Sequence, residues 1–123
     1  MTAQLPGNVA PTDDGEIVTW RRWANRTQSN SRAAGGRLYL TNRRVLFCPH
    51  AFDANTGGEY RSIPLAAITE VGKQPRTLNL RAAYNGGLRT RLRIDCADGS
   101  TELFVLNKLD QVITEIRAAT GPA

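Results

Sequence analysis

Histidine, methionine and cysteine are nearly missing from this chain: one His, one Met and two Cys in 123 residues. Two cysteines are too few for a disulfide framework, and Cys48 and Cys96 lack metal-ligand spacing, so no metal site is expected. Both fall in segments that read as strands, where such thiols behave as small buried hydrophobes. The single histidine, His50, leaves little for proton-transfer chemistry. It lies two residues from Cys48, which suggests a dyad. Residues two apart on a strand only point the same way, however, and a reactive thiol also needs a lowered pKa. No GxSxG, HExxH, P-loop or dinucleotide glycine pattern occurs. The expectation is a protein that is not an enzyme, with no catalytic residue, no metal and no cofactor.

Long apolar runs are missing too. No stretch approaches the roughly 18 consecutive apolar residues of a spanning helix. The start, MTAQLPGNVAPTDDGE, has neither a cationic opening nor an apolar block. It does not read as a secretory signal, and a cytoplasmic location is the default. Acidic residues are in deficit, 11 against 16 Lys and Arg, for a net charge of +5 with Arg supplying 14 of the 16. That surplus favours anionic partners, and guanidinium groups suit two-pronged contacts with phosphate or carboxylate. A bias in genome composition would produce the same surplus.

What is present is a succession of alternating segments. Residues 1–15, rich in Pro, Gly, Asp and Thr, read as a flexible leader in which Asp13, Asp14 and Glu16 make a solvated acidic start. Residues 121–123 read as a tail, which leaves a domain over 16–120. EIVTWRRWANRT is the first strand. Val18 and Trp20 share one phase and Trp23 takes the other, which places a bulge at Arg21-Arg22 and one tryptophan at the rim or surface. QSNSRAA reads as a loop.

In GGRLYLTNRRVLFCP two arms face each other across Thr-Asn-Arg. Leu38 and Leu40 share a face with Val45 and Phe47 whichever residues form the turn. HAFDANTGG is a loop, EYRSIPL a short strand stopped by Pro64, and LAAI a turn or brief helical corner leading into ITEVGK. TLNLRAAY and LRTRLRIDC alternate across the turn Asn85 to Gly87, which sets Leu80 opposite Leu92. After ADGS, a three-residue loop with Gly99 left-handed sets Phe104 opposite Leu92, facing inward. A two-residue turn would bring Leu103 and Val105 inward; the first buries more aromatic area. Leu109, Val112, Ile113 and Ile116 mark a helix, with Asn107 as N-cap, Asp110 completing a box-like start, and Gly121-Pro122 as the stop.

Seven or so antiparallel strands and one C-terminal amphipathic helix make a mostly β fold, with the layout of a pleckstrin-homology-like (PH-like) antiparallel barrel or split sheet capped by the helix. GGRLYLTNRRVLF, EYRSIPLAAITEV and DGSTELFVL together resemble the GRAM family over residues 15 to about 118. There a G-x-LyLTn-R-l-F hairpin precedes an IPL..I..V strand and a late aromatic strand ahead of the helix. In larger relatives the unit sits beside catalytic or lipid-transfer domains; here it is expected to stand alone, working through its barrel surface.

Basic residues form two sets. Arg21, Arg22, Arg26, Arg32 and Arg37 spread along the first strand, its loop and the start of the next. In pleckstrin-homology domains this loop carries the basic residues that grip phosphoinositide head groups, and the resemblance makes these five the candidate ligand-binding residues, able to make charge-assisted contacts with an anion. Arg89, Arg91 and Arg93 form a stripe of like charge on the outer face of a later strand, a second basic surface. Such a stripe needs neighbouring acids, water or an anionic partner, or else it blocks edge-to-edge aggregation. A solvated charged face is the plain alternative for both sets. No stacking aromatics interleave with the stripe, which argues against nucleic acid.

The sequence therefore points to a non-enzymatic module that engages an anionic lipid head group or an acidic protein partner, with peripheral membrane contact. The rival is a protein-interaction or self-assembly module, forming a homo-oligomer through a sheet edge and the tryptophan surface. Nonspecific nucleic-acid binding is a lesser third.

Overall fold

Alternation turns into strand along most of the chain. The computed structural model describes residues 4–29, 32–50, 58–76 and 89–121, with only the backbone of Ser29 and Arg32. The strands are β1 Val18–Ser29, β2 Arg32–Thr41, β3 Arg44–Pro49, β4 Arg61–Pro64, β5 Ile68–Gln74, β6 Arg91–Cys96 and β7 Thr101–Val105. A 3-10 turn, Leu65–Ala67, joins β4 to β5, and helix α1 spans Leu109–Thr120. The seven strands form one sheet in the order β4-β3-β2-β1-β7-β6-β5.

That sheet curls on itself. β3 and β7 are three places apart in the order, about 14 Å if the sheet were flat. Yet the rings of Phe47 on β3 and Phe104 on β7 lie 5.8 Å apart. The inner face buries Leu38, Leu40, Val45, Ile63, Leu92 and Ile94 around this aromatic pair. α1 adds Val112, Ile113 and Ile116 to the same core. Three turns of helix are marginal alone, and each of these side chains stabilises the packed state by about 1.5–3 kcal/mol. Arg117 fastens the far end of the helix, donating to the Val71 carbonyl from Nη2 over 2.6 Å and from Nε over 3.0 Å. The fold is the mostly β, PH-like sheet with one C-terminal helix that the sequence pattern implies.

Two hairpins form in the expected register. Leu38 faces Phe47 and Leu40 faces Val45, and the turn centres on Asn42-Arg43. Thr41 Oγ1 closes it by accepting from the amides of Arg43 at 3.0 Å and Arg44 at 2.9 Å. Leu92 faces Phe104, with Gly99 at φ 88, a conformation that glycine adopts without steric cost.

Other expectations need correction. Arg21 and Arg22 pair regularly with Tyr39 and Leu38, and the irregularity lies between Val18 and Trp20. This one-residue slip sends Val18 outward and Trp20 inward, so the two do not share a face. Of the segment read as the loop QSNSRAA, Gln28, Ser29 and residues 32–34 belong to β1 and β2 instead, with Thr27 opposite Ala33 and Ser29 opposite Arg32. Small side chains allow this close pairing, and Ala34 is fully buried. Leu92 has Lys73 of β5 on one side and Phe104 on the other. The expected strand over 77–84 with its pairing of Leu80 to Leu92, its turn at 85–87, and most of the loop 50–58 lie outside the described residues. Asn107 does not cap α1: the flanking residue is Lys108, with no side-chain capping bond.

The segment read as a leader lies across the outer face. Leu5 and Val9 pack on a second cluster formed by Val18, Tyr39, Leu46 and Cys48. Glu16, expected to be solvated, has a side chain with no exposed surface. Its carboxylate accepts from the Thr12 amide at 2.8 Å, Thr41 Oγ1 at 2.7 Å and Arg44 Nε at 2.9 Å. Burial works against its charge, but the bonds from Arg44, Thr12 and Thr41 outweigh it and hold the carboxyl below its usual pKa.

Candidate functional site

The four arginines of the first set whose side chains are described do not converge. Arg21 is exposed on the outer face. Arg22 faces inward, 5.2 Å over the Trp20 ring, with Nη2 3.8 Å from Glu115 of the helix. Arg26 also faces inward and donates from Nε to Glu102 over 2.8 Å. Arg37 returns to the outer face, 4.5 Å over the Trp23 ring. Arg32 opens β2, and its side chain is outside the description. The alternation of a strand scatters residues adjacent in sequence onto opposite faces.

Glu102 was not singled out in the sequence, although its phase with Phe104 points it inward. It takes a second donor, Arg61 Nε, at 2.8 Å. The hydrogen bond to Glu102 raises the Arg61 pKa above its usual value. Arg26 on β1 and Arg61 on β4 are thus joined through one carboxylate on β7.

The stripe Arg89, Arg91, Arg93 is not uniformly exposed. Arg91 is 6% exposed and donates from Nη1 to Thr27 Oγ1 over 3.0 Å, while burial lowers its pKa. Arg93 lies beside Asp95 and Gln74, at 3.0 Å from each. Arg89 remains exposed, and it belongs to a different constellation.

That constellation sits where β5 ends, β6 begins and the chain enters α1. Extending the Gln74–Arg91 register by two residues brings Arg76 opposite Arg89, like charges that repel unless something negative lies between them. Lys108 supplies a third cation. Its backbone is left-handed at φ 55, the one non-glycine residue with positive φ among those described, a conformation that costs about 1–2 kcal/mol. These three border a hollow of about 450 Å³, with Thr90 and Asn107 as neutral polar groups and Leu106 and Leu109 as its apolar floor. This is within the size range of small-ligand sites. No carboxylate is among its described lining residues, and none of the three cations is in an ion pair among the described residues. Asp110, in the first turn of α1, is held by Lys73 at 2.6 Å. The arrangement gathers three cations around one hollow with no counter-charge among the described lining residues. Sequence reasoning saw Arg89 but missed Arg76 and Lys108, which meet it only once β5 pairs with β6.

The Cys48–His50 pair is not set up for nucleophilic chemistry. Burial pushes the Cys48 thiol up to about 11, with the charge of Arg44 opposing the shift, so at neutral pH it stays protonated. Both cysteines are buried and free. Among the described residues no cluster of His, Cys, Asp and Glu is suited to a metal ion, and no helix is long and apolar enough to cross a membrane.

Two solved structures share the fold. The C-terminal domain of an unknown protein from Leishmania infantum superposes with a TM-score of 0.64 at 13% identity, covering 86% of this chain and 85% of that one. The N-terminal PH domain of Vps36 superposes with a TM-score of 0.60 at 16% identity, covering 88% and 81%. No curated protein is similar enough in sequence to match. The family signature of the GRAM domain matches residues 12–85. With that signature over more than half of its length and a PH-like fold around it, the chain belongs to the GRAM domain family.

Proposed function

We propose that this GRAM unit is a non-enzymatic binding module whose ligand is the phosphorylated head group of an anionic lipid, held in the hollow between Arg76, Arg89 and Lys108. The observation that carries this reading is three cations around about 450 Å³ with no carboxylate among the described lining residues. A phosphorylated head group falls within the size range such a hollow takes, and its phosphates multiply charge-assisted bonds from guanidinium groups. The net charge of +5 draws the module to an anionic surface, by about 1 kcal/mol for each basic residue close to it. Contact is peripheral: the head group enters the hollow while the barrel stays in water.

Co-sedimentation with vesicles of phosphatidylserine or a phosphoinositide in phosphatidylcholine, against phosphatidylcholine alone, tests this. Binding is expected only to the anionic vesicles and weakens with salt. The double variant Arg76→Ala/Arg89→Ala abolishes it, while Arg26→Ala/Arg32→Ala leaves it in place. Equal binding to both vesicle types, or no loss in the first variant, overturns the reading.

A further inference from the structure

The outward face of β1–β3 carries a second hollow that the basic one does not explain. It encloses about 320 Å³ between Trp23, Arg37, Tyr39, His50 and Tyr60 and shares no lining residue with the first. Trp23 is 66% exposed and Tyr60 48%, large aromatic areas of the sort that marks an interaction surface. Arg37 lies 4.5 Å over the Trp23 ring. Arg37 brings a positive charge to the walls, and no carboxylate is among the described lining residues.

One of the chain's own prolines forms part of the wall. Pro6 lines the hollow, Leu5 and Val9 on either side of it pack on the outer cluster, and Asn8 donates to the Tyr60 hydroxyl over 2.7 Å. A proline-bearing segment therefore already finds contacts on this face. Flat aromatic rings with polar rims suit proline, whose ring packs on an indole while the adjacent carbonyls accept hydrogen bonds from side chains. Proline-rich segments also lose little freedom on binding, because they are extended beforehand.

We propose that this groove docks an extended proline-rich segment of a partner protein that carries an acidic residue. The prolines pack on Trp23 and Tyr60, and the carboxylate pairs with Arg37.

Calorimetric titration with a synthetic peptide alternating prolines and glutamates tests the assignment. Controls replace the prolines with glycine or the glutamates with lysine, and amide spectra of each variant report the fold. The proline–glutamate peptide is expected to bind saturably and the glycine control not at all. Trp23→Ala weakens binding at least about tenfold, the loss of one aromatic anchor, and Arg37→Ala removes the preference for glutamate over lysine. Absence of saturable binding at millimolar peptide overturns the proposal, as do equal binding of the glycine control and full binding by Trp23→Ala. Trp23-dependent vesicle binding without peptide binding also overturns it, in favour of an inserting membrane surface. Vesicle binding that depends on Arg76 and Arg89 is read separately, so either proposal can fail without the other.

Discussion

Arg26 Nε lies 2.8 Å from Glu102 Oε1, with the Arg26 side chain 13% and the Glu102 side chain 7% exposed. One arginine of the first hairpin is thereby committed to the barrel. Arg61 shares the same carboxylate, so removing it strands two inward-facing guanidinium groups. Glu102→Ala is expected to cost about 3 kcal/mol, the scale for breaking a buried pair, read as a lower urea midpoint. Combining it with Arg26→Ala is less than additive. Full additivity would show that the pair does not interact.

Gly36 on β2 pairs with Pro49 on β3 and leaves no room for a side chain. A Cβ there would lie 2.2 Å from the Cys48 carbonyl oxygen and 2.7 Å from the Pro49 Cα. Both obstacles are backbone, which cannot swing away. Gly36→Ala therefore destabilises by about 2–3 kcal/mol, the scale of an overpacked site. Thermal unfolding measures this, and an unchanged midpoint would mean the hairpin is more widely spaced.

Glu16 makes stability sensitive to acid. Its folded pKa is lowered from the usual 4.5, so the charged carboxylate contributes stability above that value, and the contribution is lost as pH falls through the folded pKa. Urea midpoints measured from neutral to strongly acidic pH should drop on the acid side, and Glu16→Gln should flatten that part of the curve. The variant is also less stable at neutral pH, because Arg44 loses its carboxylate. A slope that survives in Glu16→Gln would assign the acid sensitivity elsewhere.

Cys48 is the thiol that burial protects, with its pKa pushed up to about 11. Native protein at mildly alkaline pH should react with iodoacetamide far more slowly at Cys48 than protein unfolded in urea. Above the ordinary thiol pKa of 9.0 the unfolded chain ionises first, so this residue also lowers stability as pH rises. Rapid native alkylation would contradict both statements.

The inner face of the barrel was legible because its pattern is redundant. Leu38, Leu40, Val45 and Phe47 keep one phase whatever the turn, and Gly99 fixed the register of Phe104. The bulge between Val18 and Trp20 left no mark, since one extra residue changes a phase without changing composition. Glu102 could have been read: it shares the phase of Phe104, Arg26 that of Ala24, and Arg61 that of Ile63, so one acid and two bases were bound to face inward. The basic hollow could not, because Arg76, Arg89 and Lys108 come from three segments. They meet only when β5, rather than a later strand, takes the free edge of β6.

The direct test of a head group in that hollow is an amide spectrum of the intact chain titrated with a soluble, short-chain phosphoinositide. Saturable shifts are expected at Arg76, Arg89 and residues 106 to 110, absent with the zwitterionic short-chain phosphatidylcholine and lost in Arg76→Ala/Arg89→Ala. Shifts confined to the β1–β2 hairpin, or none at all, would contradict it.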